Sequence, residues 1–203
     1  MGTKGVFHRS VLVALALVAA FVLAGCSKPA ADPAAPKPGA KAQPQQPGAA
    51  MVLTSTAFQE GAMIPAAYTG DGKDVSPPLA WSGAPKGTVT FALIMDDPDA
   101  RLGPFVHWLI CEISGNTQIL PEAMPKGDVV TAPISAVQGV NSFKNTGYGG
   151  PHPPKSETHR YFFKLYALDA ALEMPGGFSK KQLEEAMKDH ILAQATLMGK
   201  YGR

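Results

Sequence analysis

Cysteine is nearly absent: Cys26 and Cys111 are the only two in 203 residues. The chain is therefore no disulfide framework, and an apolar core must hold whatever folds. Charge of one sign is lacking as well. Lys and Arg number 18 against 16 Asp and Glu, a balance that gives no reason to expect a nucleic-acid partner, and none is expected. Composition excludes collagen-like and coiled-coil chains, and no internal repeat is evident. The longest uncharged apolar run, Val11 to Leu23, spans about 20 Å of helix at about 1.5 Å per residue, too short to cross a bilayer. Following Lys4 and Arg9, it fits the apolar core of a secretory signal.

Residues 1–25 thus read as a signal peptide. The stretch that ends it, Leu23-Ala24-Gly25-Cys26, resembles the bacterial lipobox, which implies cleavage before Cys26 and acylation of that residue. Several acyl chains on one cysteine anchor firmly where one chain binds only marginally. Ser27, rather than Asp, is similar to an outer-membrane sorting signal. The expected location is the bacterial cell envelope, lipid-anchored, on the outer membrane facing the periplasm in a Gram-negative source. Residues 26–50 hold the lipidated cysteine and a Pro- and Ala-rich stretch with no Leu, Ile, Val or aromatic residue. Such a stretch cannot bury enough apolar area to offset chain entropy and is expected to serve as a disordered tether.

Residues 51–203 carry both Trp and all five Tyr of the chain, and this is one domain's length. Strand signals dominate it: Thr88 to Asp96, Pro104 to Ile113 and Arg160 to Asp169 are β-favouring runs, joined by segments rich in Gly and Pro. One amphipathic helix follows. Ser179 with Gln182 forms a capping box, and Leu183, Ala186, Met187, His190 and Ile191 recur at helical spacing. Ala193 to Tyr201 reads as a short closing strand. The expected class is mainly β, a β-sandwich or compact β-rich fold with peripheral helices.

Ionisable residues collect at the strand ends. Asp96, Asp97 and Asp99 close the first run, His107 lies in the second, and His159-Arg160-Tyr161 opens the third. Period-2 alternation places His159 and Tyr161 on one face with Phe163, Leu165 and Ala167, and His107 on a face with Phe105, Leu109 and Cys111. A histidine on an apolar face either meets a packed carboxylate or borders a pocket. Between Asn141 and Arg160 lies a loop with Gly147, Gly149, Gly150, Pro151, Pro153 and Pro154, stiff and permissive of close backbone approach. Fed directly into His159, it suits the rim of a preformed small-ligand site.

Five segments in succession then resemble the signature motifs of the phosphatidylethanolamine-binding protein family, in its bacterial, Raf-kinase-inhibitor-like branch. They are Asp97-Pro98-Asp99-Ala100, His107-Trp108, Gly147-Tyr148-Gly149-Gly150-Pro151, Pro153-Pro154, and His159-Arg160-Tyr161-Phe162. Asp71-Gly72, Asp74 to Leu79 with Trp81, and Leu197-Met198-Gly199 to Tyr201 add to the likeness, which covers about residues 53 to 203. It implies a β-sandwich with a large central antiparallel sheet, a smaller sheet and a few peripheral helices. It also implies a small pocket that accepts phosphate, a phospholipid head group or a similar anion. Carried over, that pocket comprises Asp97, His107, Gly150, His152, Pro153, Pro154, His159 and Tyr161, with Asp99 and Arg160 as a flanking structural ion pair. Both imidazoles and the Tyr161 hydroxyl would donate to the anion, while Asp97 would orient a histidine. The sequence departs from the family at Arg101, where proline is usual, and in the short, glycine-free segment between Pro154 and His159. His152 stands where bacterial relatives often carry cysteine, and would add a third imidazole.

The leading expectation is a non-enzymatic binding protein, requiring no cofactor and no metal, that inhibits or modulates a partner such as a kinase or protease. Two alternatives stay open. One is a hydrolase using Ser142, Ser156 or Cys111 with a histidine and Asp97, although no G-x-S-x-G elbow occurs. The other is a metal-dependent enzyme built on His107, His159 and Asp97.

Overall fold

The computed structural model describes residues 50–203. The expected signal peptide, the expected lipidation of Cys26 and the expected tether up to residue 49 lie outside the described residues. In chain order the strands are β1 (Val52–Thr54), β2 (Leu79–Ser82), β3 (Thr90–Asp97), β4 (Phe105–Ser114), β5 (Ile119–Leu120), β6 (Val129–Val130), β7 (Ala136–Gln138) and β8 (Thr158–Leu168). Helix α1 (Lys180–Met187) and strand β9 (Ile191–Gly202) close the chain, and a single 3-10 turn covers Ala66–Tyr68. Among the described residues no helix is long and apolar enough to cross a membrane.

Three β-favouring runs become the three long central strands, as their composition predicts. They lie in a six-stranded antiparallel sheet of order β6-β7-β4-β3-β8-β9, and a three-stranded sheet β1-β2-β5 packs over one face. Between the sheets sit Leu53, Leu79, Trp81 and Leu120 of the small sheet with Phe91, Leu93, Met95, Trp108, Phe163 and Leu165 of the large one. Trp81 meets Phe91 edge-on at 5.1 Å. The opposite face of the large sheet is covered by the helix segment, where Phe178, Leu183 and Met187 pack on Ala92, Ile94, Leu109 and Cys111. Burying side chains such as Leu183 and Met187 contributes about 1.5–3 kcal/mol each. Because both faces are covered, every residue of β3 is buried.

Helix α1 begins at the capping box that the sequence shows: Ser179 accepts from the Gln182 N–H, and the Gln182 side chain accepts from the Ser179 N–H. It ends earlier than its apolar spacing predicts. His190 and Ile191 are not helical: Lys188 turns extended, Asp189 takes φ 68°, and β9 starts at Ile191. The β-favouring residues from Ile191 onward pair with β8 along its whole length, from Leu168↔Ile191 to Thr158↔Gly202, and that ladder wins over another helical turn. His190 instead bonds Asp169 through Nδ1 at 2.8 Å.

A second correction bears on the site. Residues Trp108 and Ile110 face the inter-sheet core while Leu109 and Cys111 face the helix. Strict alternation would put His107 with Leu109, but the β3–β4 register jumps from Met95↔Trp108 to Asp96↔Val106, leaving His107 without an opposite residue. This β-bulge turns His107 toward the core face, where its ring meets Tyr161 edge-on at 5.1 Å. Phe105, on the strand side of the bulge, shares that face and touches the His107 ring at 5.2 Å.

Candidate functional site

At the sheet end where β3 stops and β8 starts, a cavity of about 290 Å³ opens between strand ends and loops. Asp97 closes β3, Phe105 and His107 open β4, and His159 and Tyr161 open β8. Ala100 to Gly103 and Phe143 form one side, and His152, Pro153 and Pro154 form another. The face-sharing of His159, Tyr161, Phe163, Leu165 and Ala167 expected from alternation holds, since all five are buried while Arg160 is exposed. On β3 the same alternation separates two neighbouring acids. Asp96 turns to the helix side and pairs with Lys164 and Lys180, whereas Asp97 turns into the cavity.

The two histidines differ in charge for readable reasons. His107 Nδ1 lies 2.7 Å from the Gly149 carbonyl. A carbonyl only accepts, so Nδ1 carries the hydrogen. Burial lowers the pKa of this ring and outweighs the hydrogen bond that raises it, so His107 is neutral and its Nε2 is a lone-pair acceptor. His159 has Asp97 Oδ2 at 2.7 Å from Nδ1 and Glu157 Oε2 at 3.0 Å from Nε2. Burial lowers its pKa too, but hydrogen bonds to two carboxylates raise it further, and the net direction is up. Between two acceptors both ring nitrogens must carry hydrogen, so His159 is an imidazolium.

Tyr161 is wholly buried, lines the cavity, and its hydroxyl has no hydrogen-bond partner among the described residues. Burial, then the charges of Asp97 and Asp99, push its ionisation up, so it is a neutral donor. Tyr148 is a useful contrast. Equally buried, it donates to the Tyr68 carbonyl at 2.6 Å and pins the glycine loop to the preceding turn. That loop is held twice more, by Gly70 N–H to the Pro151 carbonyl and by Gly150 N–H to Asp74 Oδ1. Glycine is required at Gly147 by its φ of 98°, and at Gly150 because a Cβ would come within 2.7 Å of Thr69 Cα.

Not every expected residue meets the cavity. Gly150 lies beside an adjoining polar depression with Asp74, Lys126 and Asn141, and its N–H is taken by Asp74. His152 lines both hollows but accepts from the Arg203 guanidinium through Nε2 at 2.9 Å, so that nitrogen is not a donor to a ligand. Asp99 and Arg160 are paired at 2.7 and 2.9 Å through two guanidinium nitrogens, and the Arg160 bonds hold the Asp99 carboxyl down at about 2. The His159 N–H that the resemblance offers to an anion is held here by Glu157 Oε2, 3.0 Å from Nε2. Among the described residues, no group of three or more His, Cys, Asp or Glu is placed to hold a metal ion. Of the candidate nucleophiles, Ser142 accepts the Val106 N–H through its hydroxyl, and burial drives the Cys111 thiol far from ionisation.

Sequence reasoning missed Glu157, the second carboxylate on His159, and the apolar wall of Leu102, Phe105 and Phe143. A signal for Glu157 existed, since Glu157, His159 and Tyr161 are spaced by two along one strand edge. Nothing local marks Phe143, which reaches the site only because the loop after β7 folds back to bring its ring within 4.7 Å of Phe105.

Comparison with known proteins agrees with this architecture. The family model for phosphatidylethanolamine-binding protein matches residues 54–202. A UPF0098 protein of Aquifex aeolicus is 47% identical over 158 residues, covering 77% of this chain and 91% of that one. One from Methanothermobacter thermautotrophicus is 45% identical over 153 residues, covering 75% and 99%. Among solved structures, a phosphatidylethanolamine-binding protein homolog from Chlamydia trachomatis is 42% identical with a TM-score of 0.69, covering 76% of this chain and 98% of that one. YbcL of E. coli, described as a member of the mammalian PEBP family, is 31% identical with a TM-score of 0.71, covering 76% and 99%. Matched along its described length in sequence and in fold, the chain belongs to the phosphatidylethanolamine-binding protein family.

Proposed function

We propose that this is a binding protein whose cavity takes a phosphate-type oxyanion or the head group of a phospholipid, with no catalytic nucleophile. One observation carries the reading: the Tyr161 hydroxyl, buried beside a cavity that Asp97, Arg101, His107 and His159 also line, has no partner among the described residues, and the hydrogen bond His107 makes there uses Nδ1 and leaves Nε2 for a ligand. Buried polar groups left without partners cost stability and are kept where a ligand satisfies them. Their polarity sets what fits. Neutral His107 accepts a hydrogen and Tyr161 donates one, so the head group must present both an O–H or N–H and an acceptor oxygen. Hydrogenphosphate does so, as does a phosphomonoester in its monoanionic form or a phosphodiester carrying an ammonium. Leu102, Phe105, Phe143, Pro153 and Pro154 offer apolar surface to the carbon portion.

The same proposal places the protein at the bacterial envelope through lipid on Cys26. It also assigns the protein to the Raf-kinase-inhibitor-like branch, with the filled or unfilled cavity modulating a partner kinase or protease. The sequence of residues 1–26 and the motif resemblance support these points. Calorimetric titration with phosphate and with sulfate tests the core of it. Phosphate, which carries a hydrogen at neutral pH, is expected to bind at least tenfold tighter than sulfate, and His107→Ala with His159→Ala is expected to abolish binding. Absence of phosphate heat from the wild type and from Glu157→Gln alike would refute the reading.

A further inference from the structure

We infer that Glu157 is a tethered competitor of the ligand: its carboxylate holds the cavity-side nitrogen of His159, and a bound oxyanion takes that place between His159 Nε2 and the Arg101 guanidinium. The inference rests on the anion-site reading and adds residues to it.

The two carboxylates on His159 are unlike. Asp97 is 5% exposed and bonds Nδ1 from within the sheet, so it is a permanent partner. Glu157 is 31% exposed, precedes the first residue of β8, and bonds Nε2 from the solvent side. Its second oxygen takes the guanidinium of Arg101, itself 72% exposed on the β3–β4 loop and part of the cavity lining. One carboxylate therefore engages two cationic donors at the cavity mouth, with the donor arrangement an oxyanion would use.

Release requires little. The Glu157 backbone is fixed by its N–H to the Pro154 carbonyl and by the Arg203 N–H to its own carbonyl, so only side-chain rotation is involved. Long exposed side chains lose rotamer freedom in such pairs, which makes these ion pairs marginal and exchangeable. With Glu157 turned out, His159 Nε2–H and Arg101 become free donors in the lining that His107 and Tyr161 share. The local charge changes accordingly: Asp97 and Glu157 balance His159 and Arg101, and removing Glu157 leaves one net positive charge for an anion. The hydrogen bonds from His159 and then Arg101 hold the Glu157 carboxyl below its usual range, so it competes as a carboxylate across neutral pH. A domain whose overall charge does nothing to attract anions would gain selectivity from this arrangement, because a ligand must supply at least as good an oxyanion as the resident one.

The test compares inorganic phosphate binding to the full chain and to Glu157→Gln and Glu157→Ala, with melting temperatures as a check on folding. Both substitutions are at a partly exposed side chain and keep the backbone bonds. An association constant about fivefold higher in both variants is expected, and tightening of at least twofold supports the competition. A wild type that binds too weakly to measure beside a variant that binds measurably supports it as well. Affinity within twofold of wild type, or weaker, overturns the competition and leaves the anion site standing. Absence of phosphate binding in wild type and both variants overturns the anion-site reading and this inference with it. A readout free of ligand accompanies the titration: the ¹⁵N resonance of His159 Nε2 should shift in Glu157→Gln, and an unchanged resonance would also overturn the competition.

Discussion

Replacing Tyr161 by Phe should make the protein more stable and a worse binder at once. The Tyr161 side chain is wholly buried and its hydroxyl has no partner among the described residues. A buried hydroxyl left unsatisfied costs about 1–3 kcal/mol, and deleting it leaves a defect of a single oxygen while the edge-on contact with His107 is kept. The net gain is about 1 kcal/mol, which for a domain of this size raises Tm by about 2–4 °C. Tyr148 supplies the opposite sign. It is buried as deeply, but its hydroxyl donates to the Tyr68 carbonyl at 2.6 Å, so Tyr148→Phe strands that carbonyl and should cost about 1 kcal/mol. Melting must be followed in buffer free of phosphate, since bound ligand stabilises the wild type by mass action. In parallel, loss of one neutral hydrogen bond of about 0.5–1.5 kcal/mol should weaken phosphate binding roughly three- to tenfold. A Tyr161→Phe protein that melts lower than wild type would show that the hydroxyl has a partner in solution, and unchanged phosphate affinity would show that it does not serve the ligand.

Two further outcomes are expected. In an ¹H–¹⁵N titration of the imidazoles, His159 should lose its proton above the usual histidine value and His107 below it, and coincident titrations would refute the assigned charge states. The signs for stability follow. The His159 contribution is complete below the unfolded value and fades as pH rises through the folded one. His107, buried neutral, costs stability as pH falls below the unfolded value. Gly150→Ala should lower stability by about 1–3 kcal/mol, because the new Cβ meets Thr69 Cα at 2.7 Å and the Tyr68 carbonyl oxygen at 2.8 Å. Chemical denaturation measures it, and a neutral result would mean that the loop is not clamped as described.

How much of this was legible beforehand depended on the range of the interaction. The three long strands were visible because each is a contiguous β-favouring run, and the side of His159 and Tyr161 followed from alternation alone. The helix start was visible because Ser179 and Gln182 cap each other locally, whereas its end was misplaced because pairing of β9 with β8, not local spacing, decides it. Short strands such as β5 and β6 are too brief to announce themselves.

The site divides along the same line. Asp97, His107, His159 and Tyr161 were named from motifs, and all four line one cavity. Their hydrogen-bonding roles were not readable. His107 faces Tyr161 because of a bulge in the β3–β4 register, and it accepts because the Gly149 carbonyl claims its other nitrogen. His159 is an imidazolium because Asp97 and Glu157, far apart and near in sequence respectively, both converge on it.

The sequence by itself determined a mainly β domain and which residue types gather at its strand ends. Only the tertiary structure decided which imidazole is charged, which polar atoms lack partners among the described residues, and that Glu157 links His159 to Arg101. The first set follows from chemistry periodic along one strand. The second depends on register and loop closure between segments distant in the chain, where a one-residue bulge or a single converging carboxylate reverses the role of a side chain.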